Sequence, residues 1–288
     1  MDVELKIWEQ NNKHQLNPPK VAYPTIGLFF LALLLFISTT YFTITGLYPM
    51  ILGIVINGLS AFMFFTVAHD ASHRSLSQNN KINETLGAIS LFFLSPLAGI
   101  RVFRFIHMQH HRFTNHGSDK DPDAWCGRGN KWTLPLRWMT LDFQYVVWYL
   151  NKWQERPAKE RKELVLTLST MLFVVISLTS LGFGKWLILL WFLPSRIAVT
   201  WLALCFDYLP HYPHDTTNTE NPYLATNIRP TLSALMTPFL LEQNYHLIHH
   251  LYPRVPFYRY HKLWREIKPQ LRQAGARVYT WRSKKAHR

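Results

Sequence analysis

A chain of 288 residues can hold one large domain or two small ones. Its formal net charge of +14 raises nucleic acid as a partner. Two long uncharged blocks separate the basic segments, however, and no nucleic-acid motif is recognisable, so none is expected to bind. Two cysteines, Cys126 and Cys205, exclude a disulfide framework and fit a reducing compartment.

In chain order, residues 1–24 are polar and lack the apolar core of a signal peptide. Thr25–Thr45 is then 21 residues without a charge, long enough to cross the roughly 30 Å hydrocarbon core of a bilayer. A short turn follows, with Gly46 and Pro49, and Met50–Ala68 is a second uncharged run. Leu86–Ile100 is apolar but too short to span and contains Pro96. It is expected in the membrane interface, as is the aromatic stretch Trp132–Tyr149. Leu164–Gly184 and Trp186–Phe206 complete four spans in two hairpins, the last carrying Pro194 and Arg196. Of the 31 Lys and Arg, 3 precede Thr25, 14 lie between His69 and Lys162, and 12 follow Asp207. That bias places both termini and the large middle segment in the cytoplasm. Residues 261–288 form a basic tail.

Eleven of the 14 histidines lie in four places on that same side. "HDASH" gives His69 and His73 at i, i+4, just where the second span ends. "HMQHHRFTNH" supplies His107, His110 and His111, then His116. "DYLPHYPH" follows the fourth span with His211 and His214. "EQNYHLIHHLYP" supplies His246, His249 and His250. On a helix, i, i+3 and i+4 share a face, so each triplet is expected to converge on one point. Eight or nine imidazoles exceed what one zinc ion needs and fit two ions. Imidazole suits iron, copper and zinc alike, so ligand type does not choose the metal. Spans two and four, continued as helices, would bring the first and third places into one cluster.

HxxxH, HxxHH and HxxHH around two membrane hairpins resemble the membrane fatty-acid desaturase and hydroxylase superfamily. The resemblance extends to "DPDAW" after the second box. "FDYLPHYP" and "QNYHLIHHLYPRVPFYRY" look most like the cyanobacterial-type β-carotene hydroxylases. It implies an all-α integral membrane protein whose desaturase-like domain covers 25–260, with a cytoplasmic helical cap holding two iron ions. O2 would be the co-substrate, a small redox protein such as ferredoxin the electron donor, and a membrane lipid or carotenoid the substrate. The implied ligands are His69, His73, His107, His110, His111, His246, His249 and His250, and His211 resembles an additional one. Desaturation and hydroxylation both remain open.

Around the ligands, Asp70 is expected to accept a hydrogen bond from an imidazole. Asp207, one helical turn before His211, is placed to hold a bridging water or orient a ring, and Asn244 joins this outer set. His116 and His214 are expected in outer or surface roles, and His14, His261 and His287 in solvent. Asp119, Asp121 and Asp123 alternate like a calcium loop, but Ala124 and Asn130 stand where that loop needs Gly and Glu. The basic segment Arg254–Arg288 suits an acidic electron carrier or anionic headgroups. A metal carrier would need ionisable groups within the bilayer, whereas the spans hold only Arg196 and the amide of Asn57. A zinc hydrolase would need an HExxH motif and a general-base Glu, and the boxes contain neither.

Overall fold

The computed structural model describes residues 3–279; residues 1–2 and 280–288, including His287 and the end of the basic tail, lie outside the described residues. The principal helices are α1 (Val3–Asn11), α2 (Tyr23–Ile44), α3 (Met50–Ser72), α4 (Asn80–Leu94), α5 (Ile100–Phe113), α6 (Leu141–Leu150) and α7 (Ala158–Ser180). They are followed by α8 (Gly184–His211), α9 (His246–Leu251) and α10 (Tyr260–Gln273). Helices α2, α3, α7 and α8 are each long and apolar enough to cross a membrane. Each extends beyond the uncharged run that marks it. Hydropathy sees only the part suited to lipid, whereas helical hydrogen bonding continues into the polar residues: Lys159–Glu163 in α7, and the histidine-bearing ends of α3 and α8. A wholly helical chain was expected, but Asn227–Ile228 pairs in parallel with Arg277–Val278.

Helix α2 lies along α3, and Gly53 makes that approach possible, since a Cβ there would sit 2.5 Å from Thr43 Oγ1. Two prolines shape α8. Pro194 has no N–H to offer the Leu190 carbonyl, and Pro210 none for that of Phe206. Ahead of each, the helix widens into a π-turn, at Ile188–Phe192 and Ala203–Tyr208. Asn57 of α3 supplies the missing donor at the first, its Nδ2 lying 2.8 Å from Leu190 O and 2.9 Å from Thr40 Oγ1.

Arg196 is buried inside the protein rather than facing lipid. It holds Asp142 of α6 with both terminal nitrogens, donates to Met139 O at 2.8 Å and lies over the rings of Phe143 and Phe192. Ser95 donates to the same carboxylate. Removing one partner of such a buried pair costs about 3–5 kcal/mol. Around it, α6 and the segment before it leave Trp132, Leu136, Phe143 and Val147 exposed, the kind of face an interfacial helix presents.

Near both ends of the described residues, α1 and α10 pack together on the histidine side. Leu5 of α1 packs with Leu263, Ile267 and Leu271 of α10. Tyr252 Oη donates to Glu9 Oε1 at 2.7 Å, and Gln15 reaches Glu266 at 3.2 Å.

Candidate metal centre

Four elements carry histidines to one place: the ends of α3 and α8, the C-terminal half of α5, and α9. The nine rings named above sort into two groups. His69, His73, His107, His111 and His249 form one; His110, His211, His246 and His250 form the other. Each HxxHH triplet therefore divides between two points, against the expectation that it converges on one. In α5 the i, i+4 pair His107 and His111 joins the first group while His110 joins the second. In α9 the roles reverse, with His246 and His250 in the second group and His249 in the first. The cause is angular, since residues i+3 and i+4 point about 100° apart around a helix.

Within each group it is the Nε2 atoms that meet. His249 lies 3.1 Å from His69 and 2.8 Å from His111, and His107 lies 2.8 Å from His73 and 3.2 Å from His111. In the second group His246 is 3.1 Å from His211 and 3.0 Å from His250, and the buried His110 Nε2 has no hydrogen-bond partner. Two nitrogens bound at right angles to one ion at about 2.1 Å stand about 3 Å apart. The observed spacings match, and a neutral ring has too few N–H groups to satisfy so many close nitrogen pairs by hydrogen bonding. The residues present fit metal ions, one for each group.

Electrostatics separates the groups. Burial, reinforced by neighbouring rings, pushes His73, His107, His111 and His249 well below the ordinary histidine range, and does the same to His246 and His250. These rings are neutral, as ligands must be. His110 differs: burial alone would lower it, but Asp123 and Asp121 outweigh that and raise it to about 9, holding a proton at Nε2 that a bound ion would displace while Nδ1–H stays on Asp121. Its Nδ1 lies 2.9 Å from Asp121 Oδ1 and 3.2 Å from Asp123 Oδ2. Asp121 also accepts from the backbone N–H of Asn115 at 2.7 Å and that of Asp123 at 3.0 Å, and Tyr145 Oη donates to Asp123 Oδ1. Thus the acidic stretch that fails as a calcium loop aims His110 instead. On the other group, Tyr260 Oη lies 3.0 Å from His249 Nδ1. Sequence reasoning gave no role to Asp121, Asp123 or Tyr260. The carboxylates were legible in principle, as two acids close to a box in a segment with no other use for them.

The outer residues named from sequence fare less well. Asp70 bonds no imidazole; it accepts from Thr25 Oγ1 at 2.8 Å and from Phe257 N at 3.2 Å, because the position after His69 on a helix points about 100° away from it. Asn244 donates to Arg229 O and Thr237 Oγ1, bracing the loop before α9. Asp207 is buried beside Cys126, whose thiol donates to it at 3.7 Å, and it faces His110 through space rather than through a bond. His116 reaches Thr219 at 3.1 Å and meets the Phe113 ring edge-on, away from both groups. His214 is mostly buried and held down to about 4 by that burial, against Gly127 rather than in either group. His14 is exposed, as expected, but His261 is half-buried and stacks on Tyr245 at 5.1 Å. A cavity of about 60 Å³ reaches the centre, lined mostly by apolar side chains such as Phe65, Phe103, Leu202 and Phe206, together with His107, Asp142 and Asp207.

The sequence pattern of the fatty acid desaturase family matches residues 45–282, a stretch that includes all nine histidines. Among known proteins the chain is 27% identical over 260 residues to a β-carotene ketolase of Paracoccus sp. (strain PC1), covering 88% of this chain and 93% of that one. It is 26% identical over 248 residues to the chloroplastic sn-2 acyl-lipid omega-3 desaturase (ferredoxin) of Helianthus annuus, covering 74% of this chain and 54% of that one. The dihydrorhizobitoxine desaturase of Bradyrhizobium elkanii is 28% identical over 241 residues, covering 75% and 66%. From a family match over most of its length, the chain belongs to the fatty acid desaturase family and is an oxidoreductase.

Proposed function

We propose that the chain is a multi-pass membrane oxygenase that holds two iron ions and oxidises an unactivated C–H bond of a long apolar lipid, with a carotenoid ring the favoured substrate. The observation that carries this is the sorting of nine imidazoles into groups of five and four beside an apolar cavity. The end-to-end coverage of the carotenoid ketolase supports the choice of substrate. Iron in both groups would supply the activation of O2, which side chains alone cannot perform.

The chain's own residues do the rest. His69, His73, His107, His111 and His249 would hold one ion, and His110, His211, His246 and His250 the other. Tyr260 and Asp121 orient His249 and His110 through their far nitrogens. The cavity excludes water and holds the substrate still, and that positioning selects the carbon attacked. Hydroxylation consumes O2, two electrons and two protons and yields the alcohol and one water. Desaturation consumes the same and yields an alkene and two waters. The electrons come from outside the chain, and the exposed face of α10 presents Lys262, Arg265, Lys268 and Arg272 to an acidic redox protein such as ferredoxin. By the positive-inside rule the histidines and both termini face the cytoplasm.

Expression in two hosts, one making β-carotene and one with only saturated and monounsaturated acyl lipids, tests the reading. Metal analysis of the purified chain should give two irons. A carotenoid heavier by one oxygen is the expected product. An acyl lipid lighter by two hydrogens would mean desaturation instead, and one metal ion per chain would overturn the two-iron assignment.

A further inference from the structure

Phe206 occupies a singular place. Its buried ring lies 4.8 Å from His69, 6.1 Å from His249 and 6.3 Å from His107, all of the first group, and 4.7 Å from His246 of the second. The same ring lines the apolar cavity and meets Phe65 edge-on at 4.9 Å. One side chain therefore lines the cavity, beside His107, and touches both histidine groups.

Its placement follows from Pro210. Phe206 and His211 are five residues apart, so a regular α-helix would aim them about 140° apart. The π-turn Ala203–Tyr208, opened where Pro210 has no N–H for the Phe206 carbonyl, brings both onto His246, whose ring is 5.0 Å from that of His211. Such turns recur at functional sites. No hydrogen bond fixes the Phe206 ring, so packing and the space it fills are all it contributes.

We infer that Phe206 is a specificity-determining residue. Its ring, with His107, closes the histidine end of the substrate cavity, and its size sets how far the substrate slides toward the histidines and hence which carbon is oxidised. A smaller side chain deepens the cavity by the volume of the lost ring, so a second carbon comes into reach. A larger one shortens it.

This rests on the oxidative reading above, and two measurements separate their failures. In the first, the iron-loaded Phe206→Cys chain is treated with neutral n-octyl methanethiosulfonate and with its charged trimethylammonium-ethyl counterpart, and peptide mass spectrometry reads each thiol. The apolar reagent should label position 206 at least about tenfold faster than the charged one, with buried Cys126 and Cys205 read separately. Equal labelling by both reagents, or none by either, overturns the inference whatever the enzyme's activity. In the second, Phe206→Leu and Phe206→Ala are expressed in both hosts, and fragmentation locates the new oxygen or double bond. A second position should rise by about tenfold relative to the first, more for Ala than for Leu, with iron content unchanged. If Phe206→Ala loses iron, Phe206→Leu and the labelling decide. An unchanged position at the wild-type rate overturns the role of Phe206 and leaves the oxidative reading standing. No oxidised product from the wild type overturns both.

Discussion

The five-histidine and four-histidine groups draw on the same two helices, α5 and α9, and differ in the third: α3 feeds the first and α8 the second. The first group is walled by aromatic rings, with Phe65 stacked on His69, Phe103 on His107, and the neutral hydroxyl of Tyr260 on His249. The second stands against Asp121, Asp123 and Asp207. Identical ligand chemistry thus meets opposite surroundings. A cation held only by neutral imidazoles keeps its full charge in an apolar wall, whereas nearby carboxylates offset it. The groups are expected to hold their ions unequally, and the cause lies outside the ligands.

The largest test removes one donor from each. His246→Ala leaves the second group three donors and should lose one iron per chain, while His249→Ala leaves the first group four and should keep iron more weakly. Both should lower turnover at least about a hundredfold, because each removes a residue that acts as part of a unit. Equal iron loss from the two variants would break the comparison.

Next in size is Asp121→Asn, which takes the nearer of two carboxylates from His110 Nδ1 and leaves Asp123. Iron affinity should fall about 10–100-fold at the second group alone, as read by titration with a chelator. Loss from both groups would mean that Asp121 merely holds the fold.

A pH experiment shifts both groups together. Glu242 accepts from the backbone N–H of His261 at 2.7 Å, bracing α10 against the segment that carries α9. Burial, partly offset by those backbone N–H groups, raises its carboxyl from 4.5 to about 7. A folded value above the unfolded one gives stability that is complete below pH 4.5 and lost as pH rises through 7. The loss is about 2 kcal/mol after allowance for partial exposure. Glu242→Gln should flatten that slope in thermal unfolding between pH 5 and 8. A variant slope equal to the wild type's would assign the effect elsewhere.

The smallest effect is expected from Tyr260→Phe, which removes one neutral hydrogen bond worth about 1 kcal/mol. Iron affinity at the first group should fall about fivefold, and the contrast with Asp121→Asn measures what the charge adds.

Much of this was legible in the sequence. Four long uncharged runs mark the helices, because burial in lipid demands unbroken apolar length. The nine histidines stand out, because imidazoles at i, i+4 next to apolar spans have few other uses. The division into five and four was not legible. It depends on how α5 and α9 are rotated against each other, and a 100° step turns one face into two. Asp70 misled for the same reason: adjacency in sequence is divergence on a helix. Tyr260 was hidden by distance, standing 11 residues from His249 on a different helix. The π-turns could have been read from Pro194 and Pro210, but their effect on Phe206 needed the packed structure.

The bond from Asn57 to the Leu190 carbonyl also has a consequence for how the molecule is put together. A ribosome releases Asn57 more than 130 residues before Leu190. Through that interval the amide has only Thr40 of the preceding helix to satisfy it. An amide or carbonyl stranded in hydrocarbon costs several kcal/mol. The first pair of helices can therefore wait in the bilayer half-contented. The last helix, arriving with a carbonyl that its own proline has orphaned, settles only by docking on them. Assembly acquires an order, and the polar atoms of two residues act as the latch that completes it.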